Sequence, residues 1–122
     1  MARFEQFRAM ALSFPGVSEE LGKQIAFSVK VRGKMKGIAW EWMERVDPRK
    51  PRVVNPGVYA IRTRNVAIKY WLVQQDGGAG KVFTEPHYQN YPAVLVVLDR
   101  MEIEELRELF EEGYRCFVPS DP

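Results

Sequence analysis

The chain's single histidine, His87, sits in "FTEPHYQNYPAVLVVL" (Phe83–Leu98), ringed by Phe83, Tyr88 and Tyr91 and flanked by Pro86 and Pro92. An imidazole acts as a general base when a partner orients it and its pKa lies near working pH. Glu85, Tyr88 and Tyr91 are the local partners on offer. The prolines point the other way. Each fixes its own φ and restricts the residue before it, so "EPHYQNYP" forms a stiff arch in which the tyrosines bury rings and bond through hydroxyls. His87, Tyr88 and Tyr91 therefore read as structural residues with a possible ligand contact, and a small-molecule enzyme centred on His87 is the third-ranked reading. Cys116 has no neighbouring base with an orienting group, and reads as a small buried hydrophobe.

The second chemistry is cationic. Lys30, Arg32, Lys34 and Lys36 come in alternation, Arg49, Lys50 and Arg52 follow beside Arg45, and then Arg62 and Arg64. From Lys23 to Lys69 there are twelve Lys/Arg against three Asp/Glu, and from Asp99 onward three against eight. The middle is thus about +9 and the tail about −5 with every side chain ionised. Gathered on one sheet face, these cations meet phosphates, and Trp40 and Trp42 beside them stack on bases where their rings are exposed. Other uses of such residues are packing tryptophans in a core and lysines that protect a sheet edge.

Several classes drop out. One cysteine and one histidine do not make a zinc site, no carboxylate-rich calcium loop is present, and "GGAGK" (77–81) lacks the hydroxyl residue a phosphate loop needs, so no metal or cofactor is expected. The longest apolar run, "AVLVVL", is too short to span a bilayer. The lone cysteine and the charged "MARFEQFRAM" start imply a cytoplasmic protein.

The elements that position these residues follow from periodicity. Phe4, Phe7, Ala11 and Phe14 predict an amphipathic helix over 3–14, ended by Pro15 and Gly16. "IAFSVKV" (25–31) alternates as a half-buried strand, "RGK" turns, and "MKGIAWEWM" (35–43) returns. Its register is open. A two-residue loop faces Ile38, Trp40 and Trp42 with Ile25, Phe27, Val29 and Val31; a three-residue loop faces Met35, Gly37 and Ala39 with them. Residues 44–57 form a long connection with "RVV" paired briefly, and 58–63 a third strand. Asn65 caps a short helix over 66–75, against competition from its β-branched residues. "KVF" is a brief fourth strand and 93–98 a buried fifth. Asp99 with Glu102 forms a capping box that opens a helix over 100–117, with Ile103, Leu106, Leu109/Phe110, Gly113 and Phe117 inward. The expectation is one α+β domain over 1–122, a two-layer sandwich with a five-stranded antiparallel sheet in the order α-β-β-β-α-β-β-α.

That order, together with "LSFPGV", "FSVKVRGKM", "TEPHYQNYPAVLVVL" and "ELRELFEEGYRCFV", resembles the MmcQ/YjbR family from about Phe4 to Val118. The resemblance implies a compact α+β domain similar to secretion chaperones, DNA binding through a "double-wing" surface, and no shared catalytic set. The chain departs from the family pattern in "KMKGIAW", which adds Lys36, in a longer and more basic "DPRKPRVVNPG", and in "RNVAIKYWL", which lacks the usual acids. The leading expectation is a non-enzymatic nucleic-acid-binding domain. The alternative is a protein-interaction or chaperone-like module acting as a homodimer.

Overall fold

The computed structural model describes residues 2–44, 47 and 49–119, with the side chain of His87 excepted. Its elements run α1 (Phe4–Leu12), β1 (Val17–Leu21), β2 (Ile25–Val31), β3 (Lys34–Glu44), β4 (Val53–Arg62), α2 (Val66–Asp76), β5 (Val82–Phe83), β6 (Ala93–Val97) and α3 (Ile103–Arg115). Short 3-10 turns occupy Pro86–Tyr88 and Leu98–Arg100. The strands form one antiparallel sheet in the order β1-β2-β3-β4-β6-β5.

The sheet therefore has six strands, not five. The added strand is β1, whose "VSEEL" has no apolar alternation. It exists because its backbone pairs with β2 from Val17↔Val29 to Leu21↔Ile25. As an edge strand it carries Glu19 and Glu20, charges that discourage further pairing, and Glu19 accepts from Arg8 Nε of α1 at 2.6 Å. The short edge segment expected near "RVV" and the strand expected at 58–63 are a single strand, β4. Pro56 and Gly57 bow out of it, where pairing jumps from Glu41↔Tyr59 to Trp42↔Asn55.

The β2–β3 turn has two residues, Arg32 (φ +53°) and Gly33 (φ +81°), the left-handed pair of a type I′ hairpin. Neither simple register survives along the whole ladder. Val31 pairs with Lys34 and Val29 with Lys36, but Ser28 pairs with Gly37 and Phe27 with Ala39. The extra residue, Ile38, bulges, and both Ile38 and Ala39 are fully buried in the helix-side core. A bulge changes which residues face inward beyond it, so Trp40 and Trp42 belong to a cluster on the opposite face.

Helices α1 and α3 cover one face, where Phe7, Phe27, Tyr59 and Phe110 are each fully buried. Phe7 lies 5.0 Å from Tyr59 and 5.7 Å from Phe27, ring centre to ring centre. Burying each such ring contributes roughly 1.5–3 kcal/mol. The inward stripe of α3 is as periodicity requires: Leu106, Phe110, Gly113 and Tyr114 are buried. Gly113 lets the helix meet β4, since a Cβ there would lie 2.8 Å from the carbonyl oxygen of Arg62. The helix starts later than expected. Leu98–Arg100 makes a 3-10 turn, and the capping box is Glu102 with Glu105 rather than Asp99 with Glu102. Helix α2 forms despite its β-branched residues. Asn65 Oδ1 accepts from the Ile68 N–H at 2.9 Å, and Gly77 (φ +60°) closes its other end.

The second face is half covered. Trp42, Val58, Ala60, Ala93 and Leu95 are buried there with Trp40, Phe83 and Tyr88 packed against them. The arch of residues 84–91 closes over this cluster and leaves the β2 end of the face open.

Candidate nucleic-acid interface

The β2–β3 hairpin carries Lys30, Arg32, Lys34 and Lys36 within one projecting turn. Their pairing spreads them around the hairpin rather than over one face. Lys30 stands opposite Met35 on the open side, Lys34 and Lys36 stand opposite Val31 and Val29 on the helix side, and Arg32 is at the tip. None of the four has a carboxylate within ion-pair distance among the described residues. Arg32 is the only non-glycine with positive φ among the described residues. Holding an arginine in this left-handed region costs roughly 1–2 kcal/mol.

The other cations divide. Arg62 ends β4 beside the hairpin and donates from Nε to the Gly37 carbonyl at 3.3 Å and from Nη2 to the Tyr91 hydroxyl at 3.3 Å. Its guanidinium also lies 5.0 Å from the centre of the Phe117 ring. Arg64 is two residues on and reaches Glu112 at 3.4 Å, with both side chains about 60% exposed. Arg49, Lys50 and Arg52 lie at the other end of the eleven-residue β3, a separation of roughly 30 Å at the rise of an extended strand. There Arg49 pairs with Asp47 at 3.7 Å, and Arg52 donates to the Met43 carbonyl at 2.7 Å and approaches Glu85 at 3.8 Å. Lys50 donates its N–H to the Asp47 carbonyl. The tertiary structure thus joins Arg62 to the base of the hairpin that carries Lys30, Arg32, Lys34 and Lys36, sets Arg64 against Glu112 of α3, and leaves Arg49, Lys50 and Arg52 apart.

The arch is held from below and behind. Lys69 of α2 is fully buried, and its Nζ donates to the Tyr88 carbonyl and to the Tyr91 carbonyl at 2.9 Å. Burial pulls its pKa down, against a smaller upward pull from Glu85. Tyr70 donates its hydroxyl to the Gln89 carbonyl at 2.6 Å. Trp40 Nε1 donates to the Tyr88 hydroxyl at 3.0 Å, and burial pushes that phenol's pKa up. His87 sits with its backbone in the 3-10 turn, and its side chain lies outside the described residues. Sequence reasoning missed Lys69. The available signal was a lone cation inside the apolar run "VAIKYWLV".

Trp42 is buried at 8% exposure, so its ring is packing rather than contact surface, whereas Trp40 is half-buried. Trp71, unremarked in the sequence, is 57% exposed. It lines a groove of about 710 Å³ between α2 and α3 with Ile68, Leu72 and Leu109, where three glutamates (Glu108, Glu111, Glu112) are matched by three arginines (Arg62, Arg64, Arg115). Cys116 is exposed, not the buried hydrophobe expected. It follows the last turn of α3, where the chain leaves the core. Burial of the sulfur's surroundings raises its pKa, which disfavours thiolate chemistry. No cluster of three metal-ligating side chains occurs among the described residues, and none of their helices is long and apolar enough to cross a membrane.

No family model matches the chain. A stretch of 63 residues, 52% of the chain, is 34% identical to the uncharacterized protein Rv2570 of Mycobacterium tuberculosis and, equally, to Mb2600 of Mycobacterium bovis, covering 47% of each. The chain spans about half the length of these curated relatives. Its fold is similar to that of the Deinococcus radiodurans protein DR2400, with its DUF419 domain, at a TM-score of 0.69 and 18% identity over 98% of this chain and 81% of that one. That likeness is one of fold. It shows an α+β domain with an antiparallel sheet and three helices.

Proposed function

We propose that this protein is a non-enzymatic nucleic-acid-binding domain of MmcQ/YjbR type, and that the β2–β3 hairpin is the wing that contacts phosphates. One observation carries the reading: four cations on a single projecting turn, none of them committed to a carboxylate among the described residues. Arg62, with no carboxylate at ion-pair distance among the described residues, extends the surface at the hairpin base. The strained arginine at the tip supports it as well, because costly backbone at an exposed turn is retained where it serves a contact. The exposed free thiol of Cys116 suits a cytoplasmic setting.

Binding of this kind is backbone-directed and weak, about 10⁻⁴ to 10⁻⁶ M near physiological salt, and falls steeply as salt rises. Reversing Lys30, Arg32, Lys34 and Lys36 to glutamate together is expected to abolish it. Absence of any association with DNA at low salt, or an unaffected charge-reversed variant, overturns the proposal.

A second reading rests on Trp71. An exposed indole over a groove lined by Ile68, Leu72 and Leu109 is a protein-contact feature, and a second copy of the chain is the partner this reading names. Light scattering tests this homodimer. A strict monomer at high concentration removes it.

A further inference from the structure

The open end of the second sheet face has the character of a stacking site. Ala26, Ser28 and Gly37 form a floor of small residues, in a shallow dish of about 560 Å³ walled by Trp40, Tyr91, Arg62 and Met35 and by the β1–β2 turn. That volume lies within the range of about 300–1,000 Å³ seen for small-molecule sites. The Trp40 indole lies directly beside Gly37: a Cβ there would stand 3.4 Å from Trp40 Cε3, in ordinary van der Waals contact.

The rings are held before any ligand arrives. Trp40 is fixed through Nε1 to Tyr88, and Tyr91 meets it edge-on at 6.2 Å and 82°. Tyr91 is 41% exposed and Met35 46%, both large for apolar groups on a small domain. The Tyr91 hydroxyl accepts from Arg62, whose charge has no carboxylate among the described residues. Lys30, opposite Met35 and two residues beyond Ser28, continues the same face toward the cationic tip. Lys23 stands on the far rim with Glu20, the single carboxylate among the lining residues.

We propose that this dish is a stacking platform for single-stranded nucleic acid: bases lie against Tyr91, Trp40 and the Arg62 plane, while the hairpin cations take the phosphates. The inference rests on the nucleic-acid reading above and narrows its substrate. A duplex keeps its base faces stacked inside and offers nothing for a ring to lie on. A single strand exposes a π-face at every base, and aromatic and guanidinium planes bind it with little regard to sequence.

The test compares a labelled oligothymidylate with a duplex of equal length at low salt, by fluorescence anisotropy. The single strand is expected to bind at least about tenfold more tightly, the loss typical of one removed stacking ring. Tyr91→Ala should lower single-strand affinity by about that same factor with duplex affinity unchanged, and Tyr91→Phe should retain it. Circular dichroism confirms that each variant folds. An independent readout needs no change at the site: in a Trp71→Phe background, the oligothymidylate should quench the remaining indole emission. Duplex binding equal to or tighter than single-strand binding, an indifferent Tyr91→Ala, or unquenched indole overturns the platform. The wider nucleic-acid reading still stands in those cases if hairpin charge reversal abolishes duplex binding. No association with either oligonucleotide overturns both.

Discussion

The indole Nε1 of Trp40 donates to the phenolic oxygen of Tyr88 at 3.0 Å, across 48 residues of sequence, and ties β3 to the arch. Tyr88→Phe keeps the ring and removes the acceptor, leaving a partly buried N–H unpaired. A loss of about 1–2 kcal/mol is expected in urea unfolding. The phenol's pKa is raised by burial, with the Trp40 bond acting the other way. A raised pKa means stability that is complete below the ordinary phenol value, about 10, and lost as pH climbs through the folded value. Tyr59 is raised too, by burial and then by Glu41 and Glu19. The Phe variant should therefore lose less stability than the parent on moving into alkali. An identical alkaline slope would contradict this.

Lys69 gives the arch its second anchor. Lys69→Met keeps the stem and strands two carbonyls. The methionine also spares the desolvation of an ammonium, so the net loss should sit near about 1–3 kcal/mol rather than higher. Hydrogen exchange gives the specific signature. The Gln89 and Tyr91 amides, bonded to Pro86 and Tyr88 within the arch, should exchange faster relative to the core. Unchanged protection at those two amides would show that the arch stands without the lysine.

Arg32 sets stability against binding. Arg32→Asn places a residue suited to positive φ at the turn and should stabilise the protein by about 0.5–1 kcal/mol. It should also weaken nucleic-acid binding and reduce the salt slope by about 1, the value of one phosphate contact. A variant that is both less stable and equally tight would defeat the account of this turn.

Glu105 makes α3 acid-sensitive. Its carboxylate accepts from the Glu102 N–H at 3.0 Å and from Lys81 Nζ at 3.1 Å, and these hold its pKa below the usual range, the backbone bond first. A depressed carboxylate contributes stability present above the unfolded value, about 4.3, and lost as pH falls through the folded one. Glu105→Gln preserves the cap and removes the charge, so thermal midpoints of the variant and parent should converge between about pH 5 and pH 3. Glu105→Ala should lose about 1 kcal/mol more through the missing cap. A constant gap between parent and glutamine variant across that range would remove the pH argument.

Much of the fold was legible because local signals agreed with the tertiary outcome. Ile25, Phe27 and Val29 alternate, Arg32-Gly33 turns, Asn65 caps α2, and Leu106, Phe110 and Gly113 recur at helical spacing. Strand β1 was illegible because "VSEEL" has no apolar alternation and a single strong strand former, Val17, and only its hydrogen bonds to β2 define it. The one-residue bulge at Ile38 hid the face of Trp40 and Trp42, since an alternation pattern carries no record of where an extra residue is absorbed.

The candidate site divides along the same line. Chain order alone determined that the hairpin is basic, that prolines stiffen the 84–91 arch, and that Tyr88 packs; Tyr91, expected to bury its ring, stays 41% exposed. Only the assembled sheet decided that Arg62 and Tyr91 meet beside Gly37, that Lys69 is buried beneath the arch, and that Arg49, Lys50 and Arg52 stand at the opposite end from the hairpin. The reason is geometric. Composition sums charge along the chain, whereas a phosphate or a base responds to charge and ring faces in space, and antiparallel pairing carries residues close in sequence to opposite ends of the sheet while joining residues far apart.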